Sequence, residues 1–437
     1  MAAIMIKAKP NTIVRIGDTA QYIGWVCALF SALIVGRALH NSFFYIFAGI
    51  SLVTFFISST KCCVLFLLFL LPLAPILKPD INSMSFFTIL YFLVVAKFVV
   101  ANQKVHGWLL VGLIFFCTYN LVFSGIGQLT TIATMMAGFL MLYYLRYEEI
   151  DAESAAMFFS AGICLASILA LLRSSLPIIN AFITDAMLAK VENERIVRFS
   201  GLQGNANYHT LDITMALAAI VVIICNSRKI KLSHIVFIAC LSIFGLMSVS
   251  KSFLIAWVLL LIFWFFVSLK QGVGRVVKFL FIALISALVL CYFAYDSISA
   301  YMLRLSGSTS TSLADITTGR TDIWLSYIKE IFSNGKVLFV GNGLNTILTS
   351  VHKGTHNTVL ECAFSLGIVG SVMFLVLLRT SMGIKSYKHR VWLPLVILLI
   401  RMLAIGILTY DSLWFYFAMI VILAKEYNQF KINKNPS

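Results

Sequence analysis

Apolar residues run through this chain in long blocks rather than in alternation. Stretches of about 17–20 mostly apolar residues recur from one end to the other, each long enough to cross a hydrocarbon layer of roughly 30 Å as a helix. Barrel strands would alternate polar and apolar positions over about ten residues, and these runs do not. The pattern predicts an all-α polytopic membrane protein of about 12–14 transmembrane helices, one integral membrane domain over residues 1–437. Fourteen spans can be placed, near residues 20–36, 43–57, 63–76, 85–100, 108–123, 130–145, 155–172, 207–225, 232–247, 253–269, 276–295, 357–378, 391–408 and 413–423. The apolar stretch 232–269 is too long for one helix, and Ser248-Val249-Ser250-Lys251-Ser252 is the polar break that splits it.

Composition agrees: 61% of the residues are hydrophobic and 11% charged, where soluble domains carry about a quarter charged. The net charge of +16 would suggest nucleic acid in a soluble protein. Here the basic residues fall mostly in short loops, so they orient the chain and no nucleic-acid partner is expected. With the N-terminus in the cytoplasm, one side receives Lys7, Lys9, Arg15, Lys61, Arg146, Arg275, Arg379 and most other cations. The short loops of the other side hold Arg37, Lys78 and Lys251. Both termini are therefore expected inside, and two longer segments, 173–206 and 296–356, outside. No A-x-A-like cleavage site follows the basic N-terminus, which predicts a signal anchor. Nine cysteines lie almost wholly in apolar runs with no C-x-x-C pair. They read as small apolar filler, with neither a metal site nor a disulfide framework.

The unusual polar residues concentrate in and beside the two longer segments. Arg195 and Arg198 precede a Gly- and Asn-rich turn with Asn205 and Asn207 that leads into the eighth span. A basic turn at the lipid interface and an anion or sugar site both fit, since an arginine fork grips phosphate. Lys251 at the polar break is either a snorkelling anchor or part of a site; Ser248, Ser250 and Ser252 add donors that an anchor does not need.

In the second segment, Ile323, Trp324, Tyr327, Ile328, Ile331 and Phe332 recur with helical period, predicting an amphipathic helix near 319–333 with Thr318 as its N-cap. Arg320 stands in its first turn, where the helix dipole disfavours a cation, an arrangement that suits a bound anion. A Gly-Asn-Gly turn follows at 341–343. His356 and Asn357 then open a span that carries Glu361 five residues beyond the histidine. Histidine is the side chain most readily tuned for proton transfer at neutral pH. Arg401 lies inside the thirteenth span, where an ionisable group is costly and is expected to face a cavity. Asp411 lies at that span's outer end.

These elements, in this order, resemble the O-antigen ligase and polymerase family. The shared pattern is R-x-x-G…N-x-N (Arg198, Gly201, Asn205, Asn207), a serine-rich break with a cation (Ser248–Lys251), G-R-x-x-x-W (Gly319, Arg320, Trp324), G-x-G (Gly341, Gly343) and H-N-x-x-L-E…G-x-x-G (His356, Asn357, Leu360, Glu361, Gly367, Gly370). The resemblance covers roughly the second half of the chain. It departs at Lys251, where many relatives have arginine.

The resemblance implies a GT-C-like fold and a metal-independent glycosyltransferase without cofactors. Such an enzyme takes a glycan from undecaprenyl pyrophosphate at the periplasmic face of the bacterial inner membrane. Catalytic roles would fall to His356, Arg320 and Glu361. Arg198, Lys251, Arg195, Asn205, Asn207, Asn357 and Arg401 would bind substrate. The partners implied are the lipid-linked glycan, an acceptor glycolipid, membrane lipids and a chain-length regulator protein. A polymerase of repeat units is the first expectation and a ligase to lipid A–core the alternative. A transporter of lipid-linked oligosaccharide is a further rival, though no sequence repeat supports it. The transferase reading expects one outward cavity holding Arg198, Lys251, Arg320 and His356.

Overall fold

The computed structural model describes residues 20–102, 105–183, 189–191, 194–196, 198–227, 230–293, 295, 299, 320–383 and 392–432. Helices occupy every one of the fourteen predicted runs. They are α1 (Ala20–Leu39), α2 (Phe43–Ile57), α3 (Thr60–Leu70, continued by a 3-10 turn to Ile76), α4 (Phe86–Asn102), α5 (Gly107–Ser124), α6 (Leu129–Leu145) and α7 (Ala152–Leu171). After a short α8 (Pro177–Phe182) come α9 (Ala206–Asn226), α10 (Leu232–Met247), α11 (Lys251–Gln271) and α12 (Val273–Phe293). Then follow α13 (Arg320–Ser333), α14 (Gly335–Val340), α15 (Thr358–Met382), α16 (Trp392–Met402) and α17 (Asp411–Ile432). Among the described residues, seven helices are long and apolar enough to cross a membrane by themselves, so the chain is a helical, polytopic membrane protein. The all-α expectation has one local exception, an antiparallel pair of three-residue strands, β1 (Ala189–Val191) and β2 (Glu194–Ile196), within the first long segment.

Polar side chains start these helices where the chain enters them. Asp151 caps α7 by accepting from Ser154 N at 2.6 Å. Asn205 caps α9 and Asn357 caps α15 in the same way. Packing then sorts the helices by depth. Helix α9 is buried almost throughout, between α7, α10, α11 and α16. Trp25, Phe56, Phe115, Val122 and Val277 stand exposed on outer faces. Water would not tolerate so many bare apolar side chains, whereas a lipid environment accepts them.

Hydrogen bonds between helix ends, such as Gln271 Nε2 to Cys225 O at 2.8 Å, set two ends of the bundle apart. Several cations at or near helix ends satisfy helix C-terminal carbonyls at one of them. Lys97 Nζ donates to Phe55 O at 2.6 Å and Arg146 to Thr380 O at 3.0 Å. Arg275 reaches Ser227 O at 2.7 Å. Cations near a helix C-terminus meet the negative end of its dipole, so these residues stabilise the fold as well as biasing charge.

The opposite end carries the two long segments. There α13 forms over the predicted range but divides its apolar face. Tyr327 and Ile331 bury against Val337 and Phe364, while Leu325, Ile328 and Phe332 stay exposed. Thr318, the expected cap, lies outside the described residues. The thirteenth predicted span needs correction: α16 stops at Met402, and residues 403–410 form an irregular strap before α17. The run 403–408 is as apolar as a helix interior, yet its backbone groups bond to other elements.

Candidate active site

Three segments meet at the strap end. The first is the loop before α9, joined to the serine-rich break. Arg198 Nε donates to Ser248 O at 3.1 Å, and its terminal nitrogen to Asn207 Oδ1 at 3.2 Å. Asn207 Oδ1 also accepts from Ser250 Oγ at 3.1 Å. Ser248 and Ser250 are buried. Lys251, half-buried, opens α11 between Ser250 and Ser252. Val249 in this break has φ +47°, a left-handed backbone that is a genuine outlier for a β-branched residue.

The second segment is the run from α13 to the start of α15. Trp324 Nε1 donates to Thr355 O at 3.0 Å, and Tyr327 OH to Lys353 O at 2.8 Å. Asn342 N and Gly343 N donate to Phe364 O and Ser365 O at 2.8 and 3.0 Å. Helix α15 accepts them because it is broken at Gly367, which has φ +62°. Gly341 has φ +76°, and a Cβ there would lie 2.3 Å from Ser365 O. Gly341→Ala should therefore cost about 2 kcal/mol or more in stability, from left-handed strain plus the clash. Gly335→Ala, with nothing near its Cβ, should be close to neutral. Thermal unfolding of the two purified variants checks this.

His356, Asn345 and His352 also have left-handed backbones. With Val249 they make up the positive-φ non-glycine residues among the described residues, and each lies in a segment singled out from the sequence. Such strain persists where surrounding structure over-determines it, and it clusters at functional sites. His356 is exposed. Partial desolvation of its ring, then the charges of Arg320 and Lys353, hold its pKa below the usual histidine value. Each of these favours the neutral imidazole, the form that can accept a proton.

The strap 403–410 is the third segment, and it ties the other two together. Arg320 donates to Ala404 O at 2.9 Å, and Thr358 Oγ1 to Ile405 O at 2.6 Å. Tyr208 OH donates to Gly406 O at 2.9 Å, and Leu408 N to Glu361 Oε2 at 3.2 Å. Just before the strap, Arg401 is fully buried. It donates to Asn207 O at 2.8 Å, to Thr210 Oγ1 at 2.6 Å and to Ser252 Oγ. A continuous polar path thus runs from Arg198 through Asn207, Arg401 and Ala404 to Arg320.

No family model matches the chain, and no curated protein or solved structure matches it.

The structure therefore brings Arg198, Lys251, Asn207, Arg320, His356 and Glu361 to one end of the bundle. Arg401, expected to face a cavity, instead clamps α9 to the serine-rich break from within. The side-chain oxygens of Asn205 and Asn357 cap helices: Asn205 accepts from Asn207 N at 2.9 Å, Asn357 from Val359 N and Leu360 N at 2.9 and 3.1 Å. Arg195 lies in β2, and its side chain is outside the described residues. Asp411 accepts from Thr88 Oγ1 at 2.9 Å. Two apolar clefts, of about 530 Å³ between α4, α5 and α6 and about 230 Å³ along α13, α14 and α15, are lined by none of Arg198, Lys251, Arg320 and His356. Neither cleft joins these four: hydrogen bonds link Arg198 to Arg320 through Asn207, Arg401 and Ala404, Lys251 adjoins that path in the chain beside Ser250 and Ser252, and the ring of His356 feels the charge of Arg320. Tyr208, Thr358 and the strap escaped the sequence reading; Gly406 within "LAIGILTY" was the one breaker that marked it.

Proposed function

We propose that this chain is a membrane glycosyltransferase that polymerises undecaprenyl-pyrophosphate-linked oligosaccharide repeat units at the periplasmic face of the bacterial inner membrane. The observation that carries the proposal is the gathering of three cations, His356 and Glu361 at one end of a bundle whose outer faces are apolar. A polyprenyl pyrophosphate has its tail in hydrocarbon and its charge at the interface, so a basic set at a bundle rim suits it. The concentration of loop cations at the other end supports a periplasmic site by the positive-inside rule.

On this reading an acceptor hydroxyl attacks the anomeric carbon of the donor sugar. The bond from that carbon to the pyrophosphate oxygen breaks, and its electron pair leaves with the pyrophosphate. Neutral His356 takes the hydroxyl proton, and Arg320, Arg198 and Lys251 balance the charge on the leaving group. Glu361, held by Leu408 N, orients the strap and the start of α15 beside the histidine. The other participants are an acceptor glycolipid, here a second lipid-linked unit, and a chain-length regulator.

The test is deletion of the encoding gene in its host, followed by a glycan gel. We expect long chains to disappear while single repeats remain attached to their final carrier. Loss of all attachment would make the chain a ligase, and an unchanged glycan profile would overturn both readings.

A further inference from the structure

The strap ends in an aromatic residue that no step above uses. Tyr410 packs one ring face on Tyr208, with centroids 4.6 Å apart and planes within 25°. It remains 45% exposed. Tyr208 follows Asn207, which holds Arg198 and Ser250, and its hydroxyl donates to Gly406 O at 2.9 Å. Glu361 Oε2 lies 2.9 Å from where a Cβ on Gly406 would stand. Through Tyr208 the stacked pair therefore adjoins both the Asn207–Arg198 loop and the strap beside Glu361. Tyr208 is anchored at both its hydroxyl and its ring, so it acts as a rigid backing for the exposed ring in front of it.

We propose that Tyr410 is the floor of a sugar subsite, holding a pyranose ring of the lipid-linked glycan against its open face. An aromatic face is electron-rich, and the C–H groups on one side of a pyranose carry partial positive charge, so the two attract while their apolar surfaces leave water. The hydroxyls at the sugar's rim then point outward to the polar groups that surround the strap. A phosphate-binding role does not suit Tyr410, since a negative group is repelled by the ring face. Anchoring in the headgroup layer is the competing role for an exposed tyrosine at a membrane edge.

This inference rests on the transferase reading, and its test separates the two. The probe is the lipid-linked oligosaccharide extracted from membranes of the deletion strain, turned over by purified chain. Tyr410→Ala and Tyr410→Leu should each raise KM for this extract by about five- to tenfold, with kcat nearly unchanged. Tyr410→Phe and Tyr410→Trp, which keep a π face, should stay near the unmodified value. If Tyr410→Leu restores a normal KM, the ring serves only as apolar packing and the subsite is wrong. If Tyr410→Ala lowers thermal stability or membrane level with KM unchanged, Tyr410 is an interface anchor and the subsite is again wrong, while turnover by the unmodified chain still upholds the transferase. No turnover by the unmodified chain overturns both.

Discussion

Replacing Arg320 by alanine should lower the turnover of lipid-linked donor by about 10²–10³-fold, the usual loss when a donor aimed at developing negative charge is removed. The arginine opens α13, where the helix dipole works against a cation. One of its terminal nitrogens is held on Ala404 O at 2.9 Å. A guanidinium is a planar, permanently charged fork, so a contact to the strap carbonyl fixes where that charge sits. Lysine at this position should recover only part of the rate, because a point charge replaces the fork.

The bond to Ala404 also gives Arg320 a structural share, and the experiment must separate it. Losing the contact to Ala404 O should by itself cost about 1–3 kcal/mol of stability. That is a shift in melting temperature, not in the chemistry of folded protein. Turnover per folded molecule is therefore the decisive quantity. A folded Arg320→Ala chain that makes glycan at the normal rate would show the arginine to be a strap clamp and nothing more.

The bundle was legible in the sequence because hydrocarbon imposes a length on each apolar run: a helix lies in each of the fourteen runs, though in the thirteenth it stops at Met402. The amphipathic segment was legible for a similar reason, since its period alone predicts α13. Its buried face was only half legible: Tyr327 and Ile331 found partners in Val337 and Phe364, whereas Phe332, on the same stripe, faces outward. Residues 403–410 were not legible. Their apolar composition continues that of α16, and their departure from helix depends on Thr358, Tyr208, Arg320 and Glu361, all distant in sequence. Side-chain type also left two roles open at the asparagines. Asn205 and Asn357 suit a sugar site or a helix cap equally well by composition, and the hydrogen bonds assign the cap. Arg401 shows the converse. A buried arginine inside a span marks a polar region, and here it donates to Asn207 O, Thr210 Oγ1 and Ser252 Oγ of the chain itself. Replacing a partner-rich buried cation is a structural change first, so Arg401 is a poor probe of chemistry and His356 a better one.

His356→Gln should reduce turnover by at least about a hundredfold, with donor binding largely retained. Sugar hydroxyls are weak nucleophiles at neutral pH, and a base within hydrogen-bond reach contributes about 10²–10⁴-fold. Glutamine keeps a donor and an acceptor in similar positions but cannot take the proton, so it separates proton transfer from positioning. The backbone at His356 has φ +48°, which glutamine tolerates less well, and a melting measurement on the variant accounts for that. The pH profile supplies a second, independent reading. Partial desolvation of the ring, and then the positive charges of Arg320 and Lys353, oppose its protonation and so lower its pKa. The base form then persists to lower pH, and the acid limb of kcat/KM should fall below the ordinary histidine value of about 6.5. Lys353 is exposed and stands outside the cationic set. Lys353→Gln removes one opposing charge, so it should move the acid limb upward while leaving the rate on the plateau unchanged. A His356→Gln chain with near-normal turnover, or one that keeps the acid limb of the unmodified chain, would reduce His356 to a positioning residue and leave the proton to Glu361, whose carboxylate accepts from Leu408 N.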